Sequence, residues 1–205
     1  NAALVVAITA FSASALGAEV MKFQSSGPSM SAELIRITPI VCTDGTESVR
    51  EESIFIAAAQ FRDKVDGDQT RSEAGFATIF SLDGCTDAFS AGSGDFTDFD
   101  YSQSSVQHAR FSGSTEVLDF ATGASMGVLV ADFVLEGVGP VKSGVDHVKT
   151  TELGNFRMIE VIQGQARDSA LRGTVTLDGE DLAPFFVSPI NSLTRGHYIA
   201  TIVTF

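Results

Sequence analysis

The chain reads as an all-β protein: an antiparallel β-sandwich of about nine strands, jelly-roll or Ig-like in class, preceded by an apolar N-terminal segment. Three observations predict this. Apolar residues recur at period two over short runs bounded by Gly, Asp and Ser, the mark of half-buried strands. No stretch carries the 3.6-residue period of a long amphipathic helix. Asp-Gly pairs at 44–45, 66–67, 83–84 and 178–179 readily supply the positive φ that tight hairpin turns require. Runs of strands without intervening helices argue for a sandwich rather than a doubly wound fold.

The elements follow in order. AELIRIT (32–38) is the first strand of the body and ends before the turn at 44–45. In SIFIAAAQF (53–61), Phe55, Ala57, Ala59 and Phe61 share one face, which is expected to line the core. GFATIFSL (75–82), VQHARFS (106–112) and TEVLDFA (115–121) come next. GVLVADFVL (127–135) places Leu129, Ala131, Phe133 and Leu135 on one face and Asp132 on the other. NFRMIEVI (155–162), QARDSALRGTVTL (165–177) and HYIATIVTF (197–205) complete the set. The organisation expected is an apolar segment over 1–23, a linker over 24–30, where QSSGPSMS is polar and rich in Ser, Gly and Pro, and one sandwich domain over 31–205.

Composition sets bounds on function. With 205 residues the chain can bury a core without metals or many disulfides. Hydrophobic residues at 44% against 19% charged exclude disorder for the bulk. The 26 acidic and 13 basic residues give a net charge of −13, which opposes phosphate neutralisation, so no nucleic-acid partner is expected. No integral membrane domain is expected either. The apolar N-terminal stretch is short for a spanning helix, and a chain without Trp and with two Tyr lacks the aromatic girdles of an outer-membrane barrel.

Cys42 and Cys85 sit in similar turn-like settings, VCTDG and LDGCTD, and are expected to form a disulfide. Together with the export-like N-terminus, the pair points to a secreted, extracellular or cell-surface protein.

Residues 1–18 carry the sharpest functional question. AALVVAITAF followed by SASALGA has the apolar region and small residues of a signal peptide, without its basic start. The same residues Leu4, Val5, Val6, Ala7, Ile8, Thr9, Ala10 and Phe11 are rich in strand formers, and on a Ser/Gly/Pro tether they have the layout of a strand donated to another subunit. That layout resembles donor-strand pilus and fibre subunits in general plan. It implies a non-catalytic structural or interaction role and a homo-oligomer or polymer.

Two other classes compete, a secreted serine hydrolase and a calcium- or small-ligand-binding module. GASMG (123–127) fits the G-x-S-x-G nucleophile elbow, with Ser125 as nucleophile of a secreted hydrolase, but its lead-out, VLVADFVLEG, alternates like a strand where the elbow needs a helix. GDFTDFD offers Asp95, Asp98 and Asp100 for a weak calcium site, and RDKVDGDQ offers Asp63, Asp66 and Asp68, neither matching an EF-hand. His108, His147 and His197 lack metal-ligand spacing. Apart from calcium, no cofactor is expected.

Overall fold

The computed structural model describes residues 19–182 and 191–204. Among them the chain is antiparallel strand joined by turns, with no helix. The strands are β1 (Glu19–Val41), β2 (Glu47–Val65), β3 (Asp68–Asp83), β4 (Ala88–Asp95), β5 (Phe99–Ser104), β6 (His108–Asp119), β7 (Ser125–Gly137), β8 (Lys142–Leu153), β9 (Phe156–Leu177), β10 (Glu180–Asp181) and β11 (Ser192–Thr204).

This is the antiparallel, sandwich-like class that periodicity predicts, with a feature that periodicity does not carry: the ladder closes on itself. The pairings run β1–β2–β3–β4–β6–β7–β9–β11 and return to β1. The long β9 makes closure work. Its residues 169–177 pair with β7, and its residues 156–168 pair with β11 on the opposite edge. The β4–β6 seam is narrow, two residue pairs at Gly92–Asp119 and Ser93–Leu118, and β5 takes the place of β4 beside the earlier half of β6.

Inward-facing side chains fill the closed part. Met30, Ala32 and Leu34 of β1 meet Ile54, Ile56 and Ala58 of β2, and Phe111 and Val117 of β6 meet Leu129, Phe133 and Leu135 of β7. Phe96, Phe99, Phe111 and Phe133 form a continuous aromatic stack, with centroids 4.9 Å apart for Phe96–Phe111 and 5.6 Å for Phe111–Phe133. The interior is thus a packed apolar core. Among the described residues no helix is long and apolar enough to cross a membrane. One end of the core is closed by Arg36, which points inward and is held by Glu52 (2.6 Å) and Glu180 (2.9 Å). The bond to Glu52 outweighs partial burial and raises the guanidinium pKa.

Three expectations need correction. In β2 the core face is Ile54, Ile56 and Ala58, whereas Phe55, Ala57, Ala59 and Phe61 face outward. The run SIFIAAAQF is apolar on both faces, so its period is legible but its direction depends on which neighbours it meets. Residues 24–30, read as a linker, lie inside β1, where Ser25 and Met30 are buried. Pro28 is accommodated because the β1–β2 ladder skips it: pairing stops at Ser26–Arg62 and resumes at Ser29–Ala59. Finally, VQHARFS and TEVLDFA form one strand, β6, as do NFRMIEVI and QARDSALRGTVTL in β9, while β4, β5, β8 and β10 are additional.

The turns behave largely as their chemistry requires. Asp66–Gly67 and Asp178–Gly179 have positive φ at both residues, as does Gly45 alone in its turn. At 83–84 the reason is space instead, because a Cβ on Gly84 would lie 2.5 Å from Ser48 Oγ. The expected disulfide is present. Cys42–Cys85, with Cα atoms 5.3 Å apart, ties the β1–β2 turn to the β3–β4 turn.

Candidate interaction surface

Several strands run on past the core. Residues 142–153, 156–165, 196–204, 19–28, 60–65 and 68–74 of β8, β9, β11, β1, β2 and β3 make a six-stranded half-sheet in that order. Its faces both reach solvent, and of its described side chains only Ser25 and Ala200 are buried. β8 pairs with β9 on one side and with no described strand on the other. An unpaired edge of this kind is a template for another strand.

Four glycines mark where the half-sheet leaves the closed part. Gly27, Gly196, Gly164 and Gly144 stand opposite one another on β1, β11, β9 and β8. On the last three an added Cβ would meet nothing closer than 3.5 Å, whereas at Gly27 it would fall 1.7 Å from the Gln60 carbonyl oxygen. The missing side chains leave a groove of about 540 Å³, flanked by Phe61, Tyr198, Gln163 and Arg195.

The two faces differ in chemistry. The outer face is half apolar: Phe23 packs on Tyr198 with ring centroids 5.9 Å apart, beside Met21, Met158 and Ile202. Partial burial and the hydrogen bond that its hydroxyl donates to Glu160 push the Tyr198 pKa up to about 12. The face continuing the barrel interior is basic. By strand alternation Lys22, Arg62, Lys64, Arg71, Arg157 and Arg195 all point to it, six of the thirteen Lys and Arg in the chain, and all are exposed. The acids on that face are Glu73, which accepts from Gln60, and Glu152, which pairs with Arg157 at 3.4 Å. Arg62 and Arg71 are directly opposed across β2 and β3, a like-charge pair that costs up to about 1 kcal/mol in an isolated sheet.

That concentration of charge was missed in the sequence. Arg62 and Lys64 alternate, but the other four residues come from four strands, and pairing alone brings them together.

The predicted site residues fall elsewhere. Ser125 opens β7, exposed, with its Oγ accepting from the Gly127 N–H at 3.4 Å. The segment before it is a hairpin turn in which Asp119 accepts from Ala121, Thr122 and the Thr122 hydroxyl. Those bonds, the Thr122 hydroxyl first, hold the Asp119 carboxyl below the usual carboxylate range. A strand, not a helix, leads out. Asp95, Asp98 and Asp100 are exposed while Phe96 and Phe99 turn into the core, so alternation points the acids outward. No group of three His, Cys, Asp or Glu that could hold a metal occurs among the described residues. His108 begins β6 and His197 lies on the inner face of the half-sheet opposite Ser26 and Gln163. The His147 side chain and Leu4, Val5, Val6, Ala7, Ile8, Thr9, Ala10 and Phe11 lie outside the described residues.

A different surface of the closed part, on β3, β4 and the end of β6, exposes Phe80, Leu82, Phe89, Leu118 and Phe120, with Phe89 at 65% and Phe120 at 63%. No known family model matches the chain, and no curated protein is significantly similar to it.

Proposed function

We propose that the protein is a non-catalytic, exported assembly module that joins copies of itself into an extracellular or cell-surface filament. In this reading the apolar residues 4–11 of one copy add as a strand to the free edge of β8 in the next. The observation that carries it is the half-sheet standing outside the closed circuit, open on both faces and unpaired at its β8 edge among the described residues. Because the circuit is already complete, a donated strand would extend an edge rather than fill a gap in the core.

β8 spans twelve residues, long enough to seat an eight-residue strand. Repeated from copy to copy, such a contact is heterologous and need not close, and when it stays open it yields a filament. The disulfide is compatible with an oxidising, extracellular location, and exposed phenylalanines fit a protein that meets other proteins.

Negative-stain electron microscopy and sedimentation velocity test the reading. The full chain is expected to form filaments, and Val6→Asp to remove them while leaving the melting temperature unchanged. A full chain that stays monomeric at 100 µM (roughly the upper range for a weak specific contact) would sink it.

A further inference from the structure

The basic face and the opposite end of the molecule are complementary in charge. We infer that copies associate head to tail, the basic inner face of the half-sheet of one seated on the carboxylate-rich disulfide end of the next. The inference rests on the self-assembly reading and adds a second contact, distinct from the strand addition at the β8 edge, with its own polarity and driving force.

The two surfaces lie at opposite ends. β2 runs from Glu47 beside the disulfide to Val65 at the far end of the half-sheet, so Arg62 stands about 40 Å from Val49 at the usual rise of an extended strand. At the disulfide end, Asp44, Glu47, Glu51, Asp83 and Asp87 gather in and beside the two joined turns, with Arg50 as the base among them, bonded to Asp83 at 2.8 Å. At the other end Arg62, Lys64, Arg71 and Arg195 make no ion pair among the described residues. Holding Arg62 against Arg71 is unfavourable for an isolated molecule and favourable once a carboxylate sits between them.

A second copy fits this face better than other anions do. On the inner face of the half-sheet the neighbours of the bases include Gln24, Ser26, Gln60, Gln163 and Gln165, and no Phe, Tyr or Trp among the described residues offers a ring there to stack a base or a sugar. The net charge of −13 repels a long polyanion from the molecule as a whole. The chain itself, with 26 acids, supplies the matching carboxylates at its other end. A contact between two different surfaces of one chain is heterologous and need not close, so it can propagate.

The experiment is a charge swap read by sedimentation velocity and electron microscopy on the full chain. One protein carries Arg62→Glu and Arg71→Glu, a second Glu47→Lys and Glu51→Lys, all at exposed positions, and circular dichroism confirms that each folds. Each variant alone is expected to be monomeric, and an equimolar mixture to assemble again. Wild-type association is expected to weaken at least roughly tenfold between 50 and 500 mM salt, as screening shortens the reach of the charges. Salt-insensitive assembly, or assembly by the Arg62→Glu/Arg71→Glu protein alone, overturns the inference and leaves self-assembly standing. Monomeric wild type under all conditions overturns both. Monomeric wild type retained on heparin, with retention lost in the Arg62→Glu/Arg71→Glu protein, assigns the face to an external polyanion and also overturns the inference.

Discussion

Replacing Cys42 and Cys85 together by serine should lower stability by about 4 kcal/mol. The bridge spans 43 residues of sequence, and the chain-entropy cost of closing a loop of that length in the unfolded chain comes to about 4 kcal/mol at 25 °C. For 205 residues, an unfolding entropy of about 2.1 cal/mol/K per residue converts this to a fall of about 9 °C in melting temperature. The native state should change little, because both turns keep their own backbone bonds, from Cys42 N–H to the Thr46 carbonyl (2.8 Å) and from Thr86 N–H to the Asp83 carbonyl (3.3 Å). The urea slope should rise, since an unbridged chain expands further and exposes more surface. Calorimetry and urea titration of the double variant measure both quantities. A fall below about 2 °C with an unchanged slope would refute the unfolded-state argument, because ordinary surface substitutions reach that size.

Three further outcomes follow from the half-sheet and the tyrosines. Gly27→Val should cost about 3 kcal/mol in urea unfolding, because its Cβ would fall 1.7 Å from the Gln60 carbonyl oxygen and force β1 from β2; Gly196→Val, with its nearest atom at 4.0 Å, should stay within about 0.5 kcal/mol of wild type. Arg71→Gln should raise stability by a few tenths to about 1 kcal/mol by relieving its pairing with Arg62, and a loss instead would mean that the pair is bridged within the molecule. The two tyrosines, Tyr101 and Tyr198, should stay protonated in the folded protein past pH 10, Tyr101 through burial and Tyr198 through burial and its bond to Glu160. With folded values above the unfolded one, their contribution to stability is complete below about pH 10 and is lost as pH rises through the folded values. Tyrosinate absorbance developing near pH 10 with native circular dichroism would contradict it.

Much of the fold was legible because it is local. The alternation of GVLVADFVL reports Leu129, Ala131, Phe133 and Leu135 as core without any knowledge of partners, since the single charge, Asp132, marks the face it shares with Val128, Val130 and Val134 as the outer one. Asp-Gly turns and the disulfide were legible for the same reason, being set by backbone stereochemistry and by a simple count of thiols. SIFIAAAQF was not, because a strand apolar on both sides carries no sign of which side is in, and the neighbours that decide it, β1 and β3, are specified elsewhere. QSSGPSMS read as a linker because small polar residues with Gly and Pro usually break structure. Here they let β1 pass between β11 and β2, with Pro28 placed at the skipped rungs of the ladder.

The sequence by itself determined the antiparallel β class, the turn positions, the Cys42–Cys85 bridge and the acidic balance, all of which depend on residues near one another or on totals. Only the tertiary structure decided that the ladder closes, that a half-sheet stands outside it with a free β8 edge, and that six bases from five strands share one face of an acidic protein. The physical reason is register. Pairing aligns residues tens of positions apart, so Arg62 meets Arg71 and Gly27 meets Gly196 only once the strands have chosen their partners.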